Sequence, residues 1–304
     1  MSRPIFDVSI IVPTFNRAES LERFLRSLDS LENLDSIQLE VIIVDNSSTD
    51  GTADLLLMES AKSRKFLLRT LHEEQRGQSA AINCGLRNCR GQIICLLDDD
   101  VVLDSRWIHG LLDSYKGSDF DALQGRVLPG VDPFGNPADA SRLYYYNIPI
   151  VDHGDRIKAI RGLTGAHMTF KREVLEKIGM FNVKLGPGAT GFSGDTEFSR
   201  RIRAGAFKIG YTPHAVVFHE LDPSRYGRRY NRAVQYRKGL SRSIYRRDSI
   251  FLKVFPELLG NCLRFFIYSL AGKRQKIYRT EGRIMRGVGF LRGTIRNSRK
   301  GQWP

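Results

Sequence analysis

Ile93-Ile94-Cys95-Leu96-Leu97-Asp98-Asp99-Asp100 is the stretch on which the reading of this chain turns. Five consecutive apolar residues describe a strand buried on both faces, and the strand runs into three carboxylates. A surface loop would let water disperse such like charges, whereas in a cleft they repel unless a cation joins them. In extended backbone Asp98 and Asp100 point the same way and Asp99 the opposite way, so the i, i+2 pair can converge on one divalent ion. Hard oxygen ligands suit Mg²⁺ or Mn²⁺, which keep some waters and take further ligands from phosphates. Read alone, the triplet fits equally well a solvated acidic loop that caps a helix starting near Ser105. Its neighbours decide.

Upstream, Val8-Ser9-Ile10-Ile11-Val12 is a short strand whose exit is fixed by Pro13, and Thr14-Phe15-Asn16-Arg17 lies at its carboxyl end. A helix over 19–31 carries Leu21, Phe24, Leu25 and Leu28 on one face. Residues 39–44 repeat the buried strand and end in the polar run 45–52, which can cap a helix over 53–62. A third strand over 66–71 and a third helix over 77–88 lead back to the opening stretch. Strand and helix alternating at short spacing mean right-handed βαβ units and a mostly parallel sheet, with ligands bound outside the carboxyl ends of its strands. The clusters at Asn16 and Arg17, at Asp45 to Asp50 and at Asp98 to Asp100 all fall there, which together favours a nucleotide pocket. Neither a Gly-x-Gly-x-x-Gly fingerprint nor a phosphate loop ending in Gly-Lys-Ser is present, which argues against a nicotinamide dehydrogenase and a P-loop ATPase.

With 304 residues, 41% hydrophobic and 26% charged, the chain can bury one large core or two modest ones. The apolar run near its start is too short for a secretory signal, so the working face is expected in the cytoplasm. Cys84, Cys89, Cys95 and Cys262 show no Cys-x-x-Cys spacing and read as reduced core residues rather than as metal ligands or bridges. The net charge of +14 is unevenly divided: residues 220–304 carry +16 and the remainder −2. That asymmetry predicts a near-neutral catalytic or binding domain joined to a segment that meets a polyanionic surface.

The ordered set of motifs resembles the family 2 glycosyltransferases with their GT-A fold. The resemblance is carried by residues 8–17, 44–52, Arg76-Gly77-Gln78-Ser79-Ala80-Ala81-Ile82-Asn83-Cys84-Gly85-Leu86 and Leu97-Asp98-Asp99-Asp100. It continues through Thr164-Gly165-Ala166-His167-Met168-Thr169-Phe170-Lys171-Arg172 and Gly194-Asp195-Thr196-Glu197-Phe198 to His219, covering roughly the first 220 residues. It implies a domain over 1–220 that uses a nucleotide-diphosphate sugar, a UDP sugar above all, with Mn²⁺ or Mg²⁺. Pro13, Thr14, Asn16 and Arg17 would lie along the nucleotide and Asp45 at base or ribose. Asp50, Arg76, Gly77 and Asn83 would line the rest of that pocket. Asp98 and Asp100 would form the Asp-x-Asp pair, with Asp99 between them at the donor. His219 would join the metal and diphosphate, and Asp195 would be the general base of an inverting transfer. Two positions depart from the family pattern: Gly194 replaces an acidic residue, and His167 stands where asparagine is common, so that the donor-sugar contact there would be altered.

A sugar nucleotidyltransferase is the enzyme alternative, although it would want a glycine-rich first loop where Pro13-Thr14-Phe15-Asn16 stands. A degenerate scaffold with a polyanion-binding tail is the non-enzyme alternative. Between Leu128 and Arg161 an irregular insertion rich in Pro, Gly and Asp carries Tyr144-Tyr145-Tyr146, read equally as an acceptor platform or as core filling. Residues 221–304 are expected to bind an anionic membrane surface without spanning it, and not nucleic acid. In the first helix there, from Tyr226, the residues Tyr230, Ala233, Val234, the Arg237 stem, Leu240 and Ile244 are read as one face, with Arg225, Arg228, Arg229, Arg232, Arg242 and Arg246 on another. Residues 250–271 are apolar but broken by Lys253, Pro256, Glu257 and Arg264, which makes insertion across a bilayer costly.

Overall fold

The computed structural model describes residues 5–130 and 149–299, so the aromatic triplet at 144–146 lies outside the described residues. Strands and helices alternate through the first part of the chain as expected: β1 (Phe6–Thr14), α1 (Ala18–Asp29), β2 (Leu39–Asp45), α2 (Thr52–Ser60), β3 (Leu67–His72), α3 (Gln78–Asn88) and β4 (Gly91–Leu97). β1 pairs in parallel with β2 and β4, and β2 with β3. Ile10 and Val12 pack to one side with Leu21, Phe24 and Leu25 of α1. Ile11, Ile42 and Ile94 pack to the other with Ala81 and Leu86 of α3. With both faces covered, the period of two along each strand is masked by continuous hydrophobicity.

The sheet continues with β5 (Val101–Leu103), α4 (Trp107–Lys116), β6 (Ala122–Pro129), β7 (Lys158–Ala159), β8 (His167–Lys171), α5 (Arg172–Ile178), α6 (Gly194–Ala204) and β9 (Ile209–His219). Strand order is β3-β2-β1-β4-β8-β6-β9-β5, with β7 against β9. This second half is mixed: β8 runs antiparallel to β4 and β6, β5 and β7 antiparallel to β9, and β6 parallel to β9. The acidic stretch does not simply leave the sheet. After Asp100 the chain re-enters it as β5, with Val101 opposite His219, and the Glu220 N–H donates to the Asp100 carbonyl at 2.9 Å. That pairing delivers a distant histidine to the acidic turn.

The described residues fall into two units, a sheet unit of 5–130, 149–183 and 194–221 and a helical unit of 184–193 and 222–299. The helical unit contains α7 (Arg228–Tyr245), α8 (Phe255–Leu270) and α9 (Arg274–Arg299). Arg228 bonds Glu281, Gln235 bonds Arg286 and Ser243 bonds Asn297, so α7 and α9 run in the same direction. They approach closely through glycine: a β-carbon at Gly239 would drive into the Arg286 carbonyl, and one at Gly289 into that of Tyr236. This corrects the apolar stripe read for α7. Its buried residues are Asn231, Val234, Gly239, Ser241 and Ser243, and Ala233 is exposed. Arg228 and Arg232 bind Glu281, and Arg242 and Lys253 bind Asp248, so part of the expected cationic face ties the unit together. Among the described residues no helix is long and apolar enough to cross a membrane.

Candidate active site

Asp98, Asp100 and His219 each offer a ligand atom, all within 4.8 Å of one another. Asp100 and His219 are buried and Asp98 is partly so. His219 Nδ1 lies 2.9 Å from the Glu220 carbonyl oxygen, which can only accept, so Nδ1 carries the proton and Nε2 the lone pair. Nε2 is 3.3 Å from Asp100 Oδ1 but makes no hydrogen bond among the described residues; the pair is close without being aligned. A buried, bare imidazole lone pair beside two carboxylates fits a divalent cation, with the Nδ1 hydrogen bond fixing the ring.

Asp99 points away, accepting a hydrogen bond from the Thr14 hydroxyl at 2.7 Å. Burial and the neighbouring Asp100 charge push its carboxyl up to about 7, with Thr14 and Arg17 acting in the opposite sense. Arg17 Nη1 stands 3.6 Å from Asp100 Oδ2, and the Gln78 amide donates to Asp98 Oδ1 at 3.2 Å. Thus the carboxyl end of β1 and the first residue of α3 both converge on the triplet at the end of β4. The helix entry depends on Gly77, whose φ of 131° belongs to glycine. Its N–H donates to Asn46 Oδ1 at 2.7 Å, while Asn46 Nδ2 donates to the Glu73 and Gln75 carbonyls.

On the nucleotide side, Asp45 Oδ1 accepts the Ser48 N–H at 3.0 Å and Asp45 Oδ2 is 3.6 Å from His72 Nδ1. The Arg76 guanidinium lies over the half-exposed Phe15 ring, 4.6 Å from its centre. Pro13 and Thr14 are buried at the end of β1. Asn16, with φ 51°, donates its N–H to Ser48 Oγ and accepts the Thr49 N–H at Oδ1, joining the loop after β1 to the loop after β2. Asp50 works at the same seam. Burial raises its pKa, but hydrogen bonds from the Thr52 hydroxyl and N–H and from the Ala18 N–H outweigh that and leave it lowered.

Two expectations need correction. Asn83 is buried, and its amide exchanges two 2.9 Å hydrogen bonds with the Phe181 backbone, so it clamps α3 to that segment instead of facing the pocket. His167 is fully buried and accepts a 3.0 Å hydrogen bond from the Trp107 indole. Burial pushes its pKa down to about 3, and Gly125 leaves room for the ring, which a β-carbon there would strike. The departure at His167 therefore belongs to the core and not to a sugar contact.

Asp195 is the second residue of α6 and accepts the N–H of the next residue, Thr196, at 2.7 Å, a local bond rather than the N-cap bond to a residue two or three further on. A β-carbon on the preceding Gly194 would lie 3.4 Å from Ser79 Oγ, so the start of α6 abuts the first turn of α3, whose Gln78 bonds Asp98. Sequence reasoning assigned no role to Phe15, Asn46, His72 or Gln78. Gln78 had a signal, the position directly after a helix-entry glycine; the others are ordinary loop and strand-end residues whose partners come from elsewhere in the chain.

The glycosyl transferase family 2 model matches residues 9–179, more than half of the chain. An undecaprenyl-phosphate 4-deoxy-4-formamido-L-arabinose transferase of Pseudomonas fluorescens is 35% identical over 98 residues, 32% of this chain and 29% of that protein's length. Succinoglycan biosynthesis protein ExoM of Rhizobium meliloti is 25% identical over 225 residues, 74% of this chain and 70% of ExoM. The fold is also that of the mannosyltransferase PcManGT of Pyrobaculum calidifontis, solved with GDP-Man and Mn²⁺, with a TM-score of 0.62 at 19% identity over 97% of this chain and 88% of that one. The run of motifs from β1 to α5, the mixed sheet and the acidic turn after β4 have one common explanation: the chain is a GT-A glycosyltransferase and belongs to glycosyltransferase family 2.

Proposed function

We propose that the enzyme moves a sugar from a UDP-type nucleotide-diphosphate donor to a hydroxyl of a lipid-linked acceptor or growing glycan, with Mn²⁺ or Mg²⁺ and with inversion at the anomeric carbon. The observation that carries this reading is the convergence of Asp98, Asp100 and the bare Nε2 of His219. These three side chains would hold the cation, which when bound supplies Lewis-acid neutralisation of a departing diphosphate. Arg17, beside Asp100, adds positive charge at the same place. Asp45, His72 and the stacked Phe15–Arg76 pair offer a polar edge and a flat surface to the nucleoside. Asp99 holds Thr14 and so fixes the end of β1 against the acidic turn.

Asp195 takes the proton of the acceptor hydroxyl in this reading as the new carbon–oxygen bond forms. A base on the face opposite the leaving group makes the transfer a single displacement, which inverts the configuration. The names of the relatives support the acceptor class: one acts on undecaprenyl phosphate and the other belongs to succinoglycan biosynthesis. Such an acceptor puts the enzyme at the inner face of the cell membrane, in surface or exopolysaccharide synthesis. Replacing Asp100 tests the reading at its centre. Asp100→Asn should abolish Mn²⁺-dependent UDP binding in equilibrium dialysis, because an amide lacks the charge that offsets cation and diphosphate together. Unchanged affinity would overturn the metal assignment.

A further inference from the structure

One face of α8 is held and the other is bare. Val254, Leu258, Asn261, Phe265 and Tyr268 are buried or half-buried, and Leu258 packs onto Gly287 of α9. Phe255, Leu259, Leu263, Phe266, Ile267 and Leu270 are 49–75% exposed. At about 100° per residue these six fall within an arc of roughly 120°, a single stripe. The turn ahead of the helix, Ile250–Val254, extends the stripe with Phe251 at 84% and Leu252 at 87% exposed. Lys253, Glu257 and Arg264, which interrupt the apolar run in the sequence, project outside that arc. A contiguous apolar face of this size marks an interaction surface.

The charges around the stripe identify its occupant. Arg246 and Arg247 precede it and Lys273, Arg274 and Lys276 follow it, all exposed, and Arg264 lies at its flank. The two carboxylates between residues 246 and 276 are Asp248, bound by Arg242 and Lys253, and Glu257. An apolar stripe with cations at both ends and no net acid is the pattern of a helix lying in a bilayer interface, and it is too short to span. We infer that α8 and the preceding turn form the membrane-binding element, inserting this stripe into a leaflet of anionic phospholipid. The inference rests on the proposed membrane-borne acceptor and names the surface that meets the membrane.

The full chain is tested by co-sedimentation with vesicles of equal parts phosphatidylglycerol and phosphatidylcholine, with Mn²⁺-dependent UDP binding measured in parallel. Leu259→Asp with Phe266→Asp should lower vesicle affinity on the order of 100-fold and leave UDP binding intact. Lys273→Glu with Arg274→Glu should lower it on the order of 10-fold, on anionic vesicles only. Ile295→Asp, an exposed apolar position on α9, should change nothing. An environment-sensitive dye on the exposed Cys262, in a Cys84→Ser background, should shift to apolar emission on the vesicles. Failure of the parent to pellet, an α8 double variant that pellets like the parent, or a dye that stays water-like on bound protein would each overturn the inference. So would a parent that is dimeric without lipid and becomes monomeric in the α8 variant, which would assign the stripe to a second copy. Loss of UDP binding by the parent would instead count against the donor reading alone.

Discussion

One carboxylate and two histidines show how position, not residue type, sets the task. Asp195 accepts the Thr196 N–H at the start of α6, and this local bond and the proposed role as base respond differently to amidation. Asp195→Asn keeps an oxygen for the Thr196 N–H, so the fold and Mn²⁺-dependent UDP binding should survive. Glycosyl transfer should fall on the order of 10²–10⁴-fold with loss of the base. Transfer within a few-fold of the parent, measured with saturating donor, would remove Asp195 from that role. His219 meets the acidic turn with a bare lone pair, whereas His167 faces Trp107 in the core and is held neutral by burial, its pKa about 3. In the unfolded chain a histidine titrates near 6.5, so below that pH the unfolded state binds more protons. The stability that depends on neutral His167 is therefore complete above pH 6.5 and is lost as pH falls toward 3, at up to about 1.4 kcal/mol per unit. Urea denaturation should show the parent losing about 2 kcal/mol more than His167→Asn between pH 7 and 5. Equal losses would mean that the ring accepts a proton within the folded core.

At the scale of elements, glycine marks where helices touch. Gly239 of α7 lies against the Arg286 carbonyl of α9, so Gly239→Ala should destabilise the helical unit by about 1–3 kcal/mol through overpacking. Gly260 of α8 has open space around it, so Gly260→Ala should stabilise by about 0.5–1 kcal/mol through helix propensity alone. Chemical denaturation of both variants checks the pair, and the same sign in both would refute the packing. These contacts also explain what the sequence conceals. The α7–α9 interface is built from Gly, Ser and Asn with salt bridges to Glu281, and hydrophobic periodicity does not register such a seam. The parallel half of the sheet was legible because its strands are continuous apolar runs ending in Pro or polar loops. β5 is three residues long, and β6 and β8 owe their places to antiparallel pairing with distant strands, so neither length nor pattern announced them. The acidic pair was legible as chemistry, and His219 only through the family resemblance. The register that joins them, Val101 opposite His219, was not.

For the molecule as a whole, the division of charge separates two kinds of binding. The sheet unit carries a near-neutral balance and gathers Asp98, Asp100 and His219 in a largely buried cluster, while the net positive charge lies in the helical unit, much of it on exposed arginines and lysines. Salt screens exposed charges far more than buried ones: the Debye length falls from about 10 Å at 0.1 M to about 3 Å at 1 M. Attraction of the basic helices to anionic vesicles should therefore weaken steeply over that range, down to the residual binding of the apolar stripe on α8. Mn²⁺-dependent UDP binding, if the proposed Asp98, Asp100 and His219 site holds it at short range, should change by less than about threefold over the same range. Parallel titrations of vesicle co-sedimentation and UDP dialysis against sodium chloride decide the matter. Two affinities falling together would mean that the cations of the helical unit help to bind the donor. Vesicle binding that alone responds to salt would make attachment and donor capture separately adjustable, so that the enzyme could be released from a membrane with its nucleotide site intact.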